Sequence, residues 1–233
     1  MILDEVFRGV RRFIAELGAP IALAVIALGV LGFVQLADEV SEGETHGFDS
    51  AVLLWLRGLP HPLWLQHVVG DLTALGGYAV LTLWVIVAAL YLIAVGKKGA
   101  ALLTIFAVGG GAFLSEALKM GFARPRPDVV EHWAVVQSAS FPSGHAMLSA
   151  IVYLTLGMLF ARLHEKRRIK ALSIGVGIAL TLIIGLSRIY LGVHWPTDVI
   201  GGWALGAAWA SLCWLVALRL QRAHLVENES EIA

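Results

Sequence analysis

Residues Leu72–Gly96 read LTALGGYAVLTLWVIVAALYLIAVG, 25 consecutive positions without an Asp, Glu, Lys or Arg. A bilayer core about 30 Å thick is crossed by about 20 apolar residues in a helix. Five further charge-free runs lie around this one: Leu17–Ala37, Gly99–Ser115, Ala146–Ala161, Ala171–Ser187 and Val199–Leu218. Three of the six are long enough by themselves. The other three, at 16 or 17 residues, abut the polar clusters discussed below. Of the 233 residues, 58% are hydrophobic and 15% charged, whereas soluble domains carry about 25% charged residues. One soluble core of this size cannot hide so much apolar side chain and still clothe its surface. The expected fold class is all-α, an integral membrane bundle of six transmembrane helices forming a single domain over residues 1–233.

The charges that remain are informative by position. Lys+Arg and Asp+Glu are both 17, so no net charge points to a nucleic-acid partner. The lone Cys213 cannot close an intrachain disulfide. Six spans place Arg8, Arg11, Arg12, Lys97, Lys98, Arg162, Lys166, Arg167, Arg168, Lys170, Arg219 and Arg222 on one side. Arg57, Lys119, Arg124, Arg126 and Arg188 fall on the other, a split of 12 to 5. The positive-inside rule makes the first side cytoplasmic. The expectation is a multi-pass inner-membrane protein with both termini inside. The first run is too long for a signal-peptide core and no small-x-small site follows it, so it reads as a retained helix.

Residues 1–16 are expected to lie along the inner interface, 72–218 to form the core, and 219–233 to be a cytoplasmic tail. The outer loop 38–71 starts acidic and turns amphipathic from Phe48 to Leu59, with Trp55 and Trp64 as interface anchors. It reads as a lid packed on the bundle, with a gate for a lipid headgroup as the alternative. Pro60 and Pro62 break its helix.

Three clusters fall at span ends on the outer side: Lys119-Met-Gly-Phe-Ala-Arg-Pro-Arg126-Pro127, Pro142-Ser143-Gly144-His145, and Ser187-Arg188 through His194-Trp-Pro-Thr-Asp198. Ionisable groups at membrane depth are costly and usually functional. Lys119, Arg126 and Arg188 supply positive charge, the arginines as forks that fit phosphate oxygens. Ser143 and Gly144 open a span, where free backbone N–H groups favour an anion. The spacing of His194 and Asp198 places them on one helical face, where a carboxylate fixes the imidazole tautomer and raises its basicity. His145 comes from another helix and is free to act as an acid. Together these residues suit phosphoryl transfer, which needs mainly positioning and charge stabilisation.

The three clusters resemble the signature of the type 2 phosphatidic acid phosphatase (PAP2) superfamily, which also contains the vanadium haloperoxidases. That signature is Lys, six residues, Arg-Pro; then Pro-Ser-Gly-His; then Ser-Arg, five residues, His, three residues, Asp. This chain matches all eleven specified positions. The resemblance implies a phosphohistidine on His194, supported by Asp198, with His145 as acid and then base. It implies phosphate binding by Lys119, Arg126, Ser143, Gly144 and Arg188. It also implies no metal and no cofactor. The implied activity is hydrolysis of a lipid phosphate or diphosphate on the outer face, with undecaprenyl diphosphate ahead of phosphatidylglycerophosphate and phosphatidic acid. A lipid phosphotransferase using the same phosphohistidine is the alternative, and a vanadium-dependent haloperoxidase a more distant one. The oligomeric state is not specified.

Arg124-Pro125 repeats Arg-Pro two residues early. Spacing favours Arg126 as the motif residue, which leaves Arg124 as an accessory headgroup contact. Glu116 is the other accessory candidate, through an i, i+3 pair with Lys119 or by tuning that lysine. Asp49 and Asp71 read as caps or pairs within the outer loop. His46, His61, His67 and His132 show no metal spacing. Gly109–Gly111, Gly201, Gly202 and Gly206 read as close helix contacts, and Trp203, Trp209 and Trp214 as packing or lipid contacts.

Overall fold

The computed structural model describes the backbone of residues 2–222 and side chains from Gly18 to Gln221. The expected interfacial segment 1–16 and most of the tail 219–233 therefore lie outside the described side chains. Among the described residues the chain is entirely helical apart from turns and loops. The helices are α1 (Ile2–Glu42), α2 (His46–Arg57), α3 (Leu63–Ala74), α4 (Tyr78–Ala94), α5 (Lys98–Phe122), α6 (Gly144–Arg162), α7 (Arg167–Tyr190) and α8 (Pro196–Arg222). Five segments are each long and apolar enough to cross a bilayer: Gly18–Glu42, α5, α6, α7 and α8 to Gln221. The α3–α4 pair qualifies as a sixth when taken together, bent by 44° at its break.

That break corrects the reading of Leu72–Gly96 as one span. Leu72–Ala74 end α3, and α4 begins at Tyr78. The break has tertiary partners. A side chain at Gly76 would collide with Ile184 and touch the His145 ring, and the Tyr153 hydroxyl donates to the Leu75 carbonyl at 2.8 Å. The turn is thus pinned beneath the ends of α6 and α7.

Helix α6 is the hub, packed against α5, α7 and α8. Its first turns, from Ala146 to Tyr153, are buried throughout. Lipid is as apolar as leucine, so helices in a bilayer associate through close packing at small residues. Side chains built at Gly157 and Gly177 would lie 2.8 Å from the Ser173 carbonyl oxygen and 2.6 Å from that of Tyr153. Those glycines clamp α6 to α7. At Gly202 and Gly206 the corresponding contacts are the carbonyls of Ser143 (2.8 Å) and Met147 (2.6 Å), which clamp α8 to α6. Trp209 packs over Gly110 and Gly111 and donates to the Ala107 carbonyl at 2.7 Å, tying α8 to α5. Side chains such as Leu28, Phe106 and Phe113 point outward and stay exposed, the surface a bilayer would cover.

The outer loop is mostly helical. Helix α1 absorbs its acidic start through Glu42, and Pro60 and Pro62 separate α2 from α3. Helix α2 buries Asp49 and Leu53, and Leu53 joins Ala146, Ile189, Trp195 and Val199 in one cluster. It is therefore packed on the bundle end. Trp55 and Trp64 remain exposed.

Candidate active site

Helix polarity brings the three clusters to one end. The C-terminal turns of α5 and α7 carry Lys119 and Arg188, and the N-terminal turns of α6 and α8 carry His145 and Asp198. Helix α5 ends at Ala123 in a left-handed conformation (φ 45°), an uncommon state for a residue with a Cβ. The chain then crosses the bundle end as an irregular segment that lays Arg124 and Arg126 over α8. One backbone bond ties the clusters together: Ser143 N–H donates to the Asp198 carbonyl at 3.0 Å.

His194 is 1% exposed. Its Nδ1 lies 3.2 Å from Asp198 Oδ2, and its Nε2 lies 3.2 Å from Arg126 NH1. A guanidinium can only donate. Nε2 therefore carries the lone pair, and Nδ1–H donates to the carboxylate. Burial, above all, pushes the His194 imidazole down to about 4; Asp198 pulls it upward, and Arg126 and Arg188 push it lower. The ring is neutral at ordinary pH, with its lone pair aimed at the cations.

Asp198 is fully buried and saturated. Oδ2 also accepts from the Trp195 backbone N–H at 2.9 Å and from the Ser140 hydroxyl. Oδ1 accepts from Arg124 NH1 at 2.6 Å. Its side chain cannot turn without breaking charge-assisted bonds.

Three cations gather here: Arg126 and Arg188 act on His194, and Lys119 acts on those two arginines in turn. Arg126 is braced by the Ser138 carbonyl (2.8 Å) and the Val193 carbonyl (2.6 Å), and burial lowers its pKa against the pull of Asp198. Arg188 is 4% exposed; its NH1 donates to Thr73 Oγ1 at 3.1 Å and its buried Nε has no protein acceptor. Lys119 Nζ donates to Ser138 Oγ at 3.1 Å and stands 3.7 Å from Glu116. The charges acting on His145 are those of Arg188, His194, Lys119 and Arg126, which puts it in the same cluster. Gly144 lets Lys119 approach closely, since a side chain there would sit 3.1 Å from Lys119 Nζ. Ser143 flanks α6 yet makes no capping bond, and its buried Oγ has no protein partner. An anion with several oxygens matches these donors.

Two residues have partners that the sequence does not announce. The Arg124 guanidinium is occupied by protein acceptors. Its two terminal nitrogens bond Asp198, Thr197, Asp49 and Thr45 on the far side of Asp198. Asp49 does not pair within the outer loop alone. It accepts from Arg124 and from Thr197 at the start of α8. The expected Glu116–Lys119 pair is present, with Glu116 half-exposed and also held by the Tyr78 hydroxyl at 2.7 Å. Motif reading passed over Ser138, Ser140, Thr197, Thr73 and Tyr78. Asp49 alone carried a usable signal: with Leu53 and Leu56 it lies on one face of α2, an acid on an apolar stripe. No group of three His, Cys, Asp or Glu is arranged to hold a metal among the described residues.

Positive charge gathered around a buried, oriented imidazole, at one end of a bundle built to cross a bilayer, is the arrangement of a membrane-embedded site for a phosphate-like anion. Residues 100–222 match the PAP2 superfamily, more than half of the chain, and the chain belongs to that superfamily. Phosphatidylglycerophosphatase B of Bacillus subtilis is 30% identical over 180 residues, covering 76% of this chain and 86% of that protein. Undecaprenyl-diphosphatase of Sulfolobus acidocaldarius is 39% identical over 72 residues, 31% of this chain and 30% of that protein. The crystal structure of the first transmembrane PAP2 type phosphatidylglycerolphosphate phosphatase from Bacillus subtilis superposes with a TM-score of 0.80 at 28% identity. It covers 84% of this chain and 98% of that one.

Proposed function

We propose that this protein hydrolyses a lipid phosphate or diphosphate without a metal, through a phosphohistidine on His194. The observation that carries the reading is the His194 ring. Its Nδ1–H is fixed by Asp198 and its Nε2 lone pair points at Arg126. The incoming phosphoryl group takes the place of Nε2 on the Arg126 fork, and Lys119, Arg188, Ser143 and the Gly144 backbone N–H hold its other oxygens. Nε2 attacks phosphorus and the bond to the lipid oxygen breaks. His145, present as the imidazolium once the anionic phosphate offsets the surrounding cations, gives its proton to that oxygen and is left neutral. The same imidazole then takes a proton from water, whose oxygen attacks phosphorus. The P–N bond breaks, releasing inorganic phosphate and neutral His194.

The site sits at the bundle end away from Lys97, Lys98 and the Arg162–Lys170 turn. The positive-inside rule therefore supports an outer-face site in the inner membrane with both termini cytoplasmic. Such a site suits recycling of undecaprenyl diphosphate. Relatives are named for that lipid and for phosphatidylglycerophosphate, so these two head the substrate panel, followed by phosphatidic acid.

The test is phosphate release by purified protein over that panel with chelator present. The expected result is metal-independent release, lost in His194→Ala and in His145→Ala. Full activity in His194→Ala refutes the nucleophile, and activity restored only by Mg²⁺ refutes the metal-free reading. With Cys213 replaced, a cysteine introduced in the 38–71 loop should label from outside the cell, and one beside Lys166 should not. The reverse pattern inverts the orientation.

A further inference from the structure

A second layer of buried charge lies behind His194 and Asp198. Asp49 and Asp198 are both 0% exposed, and the Arg124 side chain between them is 11% exposed. The Arg124 fork spans the two carboxylates, with NH1 on Asp198 Oδ1 at 2.6 Å and NH2 on Asp49 Oδ2 at 2.8 Å. Every other polar contact locks the same geometry. Thr197 donates to Asp49 through its backbone N–H (3.0 Å) and its hydroxyl (2.6 Å). Thr45 Oγ1 accepts from Arg124 NH2 at 3.0 Å, and Thr197 Oγ1 accepts from NH1 at 2.9 Å. Helix α2 is thereby bolted to the first turn of α8, although 148 residues separate Asp49 from Thr197.

As architecture alone this cluster is expensive. A buried ion pair seldom stabilises a fold more than apolar side chains of similar shape. Two carboxylates sharing one guanidinium also leave an unbalanced negative charge. The imbalance acquires a use next to His194, whose ring turns from neutral to cationic as Nε2 bonds to phosphorus. Arg124 alone would cancel the charge of Asp198. Asp49 restores it, and the Thr197 N–H at the N-terminus of α8 holds the Asp49 carboxylate in place.

We propose that Asp49 and Arg124 are positioning residues for the His194–Asp198 pair, so that α2 sets both the orientation of that pair and its net negative charge. The proposal rests on His194 being the nucleophile.

The test uses the full chain in detergent, with short-chain phosphatidic acid as probe. Asp49→Asn and Arg124→Lys are each checked for a folded, monodisperse state. Single-turnover rates are measured with enzyme in excess. The rate constant then reports only competent molecules, and a misfolded fraction does not lower it. Each variant is expected to lower that constant by roughly 10–100-fold, the scale on which a charge-assisted hydrogen bond acts. Half-saturation should move by less than about threefold, because uniform substrate binding is untouched. The double variant should be within about threefold of the slower single, since the two residues act as a unit. A wild-type rate constant in either folded variant overturns the proposal, as does a loss confined to half-saturation. If Asp49→Asn does not fold, Arg124→Lys decides on the same criteria. His194→Ala run in parallel separates the two readings. Activity there rejects the nucleophile, whereas inactivity there with a wild-type rate in Asp49→Asn rejects the second layer alone.

Discussion

Gly202 tests whether the site depends on how closely α8 approaches α6. A methyl group built there would lie 2.8 Å from the Ser143 carbonyl oxygen, 3.0 Å from Ala146 Cβ and 3.1 Å from the Met147 nitrogen. Two of these are backbone atoms, so no side chain can swing aside. Ordinary contact begins at 3.4 Å, so Gly202→Ala must part the helices by about 0.6 Å. Overpacking of this kind costs about 1–3 kcal/mol. The contact lies one turn from the Ser143-to-Asp198 backbone bond, the tie between the Pro-Ser-Gly-His cluster and the His194–Asp198 pair. Constellations of this type tolerate errors of about 0.5 Å, and a 1 Å misplacement costs on the order of 100-fold. The expected kcat loss in Gly202→Ala is therefore about 10–100-fold in protein that still folds. The assay is phosphate release from equal amounts of monodisperse protein, with Gly109→Ala on α5 as control, since no atom lies within 4 Å of a methyl group there. If Gly202→Ala retains wild-type kcat, or loses no more than Gly109→Ala, close approach of α8 to α6 does not set the site.

Two further outcomes follow from the same geometry. Ser140→Ala removes one of the donors to Asp198 Oδ2 but leaves Trp195 N–H and Arg124 in place. It should lower kcat about tenfold with KM unchanged, well short of the roughly 10⁴-fold expected of Asp198→Asn; equal losses in the two variants would show that Ser140 alone orients the carboxylate. For pH, the folded imidazole of His194 sits at about 4 against 6.5 for an ordinary histidine. The unfolded chain therefore takes up the proton first as pH falls, and the contribution of His194 to stability is complete above about 6.5 and is lost toward about 4. Thermal unfolding midpoints should fall as pH is lowered across that window, with a shallower slope in His194→Asn; identical slopes would remove His194 from the linkage.

The spans and the three motifs were legible because each is a local property. Charge-free runs report membrane depth, and a cluster at a run's end reports that a functional group sits at the interface. Gly202 and Gly206 were legible as close contacts for the same reason, being small residues inside an apolar run. What escaped was set by distant partners. At the Leu75–Gly77 break only a glycine fits against Ile184 and His145, and nothing within Leu72–Gly96 records those neighbours. Thr73 is an ordinary helix residue until Arg188, 115 positions away, donates to it. Arg124 and Arg126 make the point most sharply. They share the same dipeptide two positions apart, and in a regular strand such residues share a face. The segment is irregular, with Pro125 and Pro127 denying it ladder bonds. The two forks therefore part around one imidazole. Arg126 reaches Nε2 directly, and Arg124 reaches Nδ1 only through Asp198. Counting motif spacing selects the first. The second is visible only once α2 has been folded against α8, because the acid that completes its fork is Asp49.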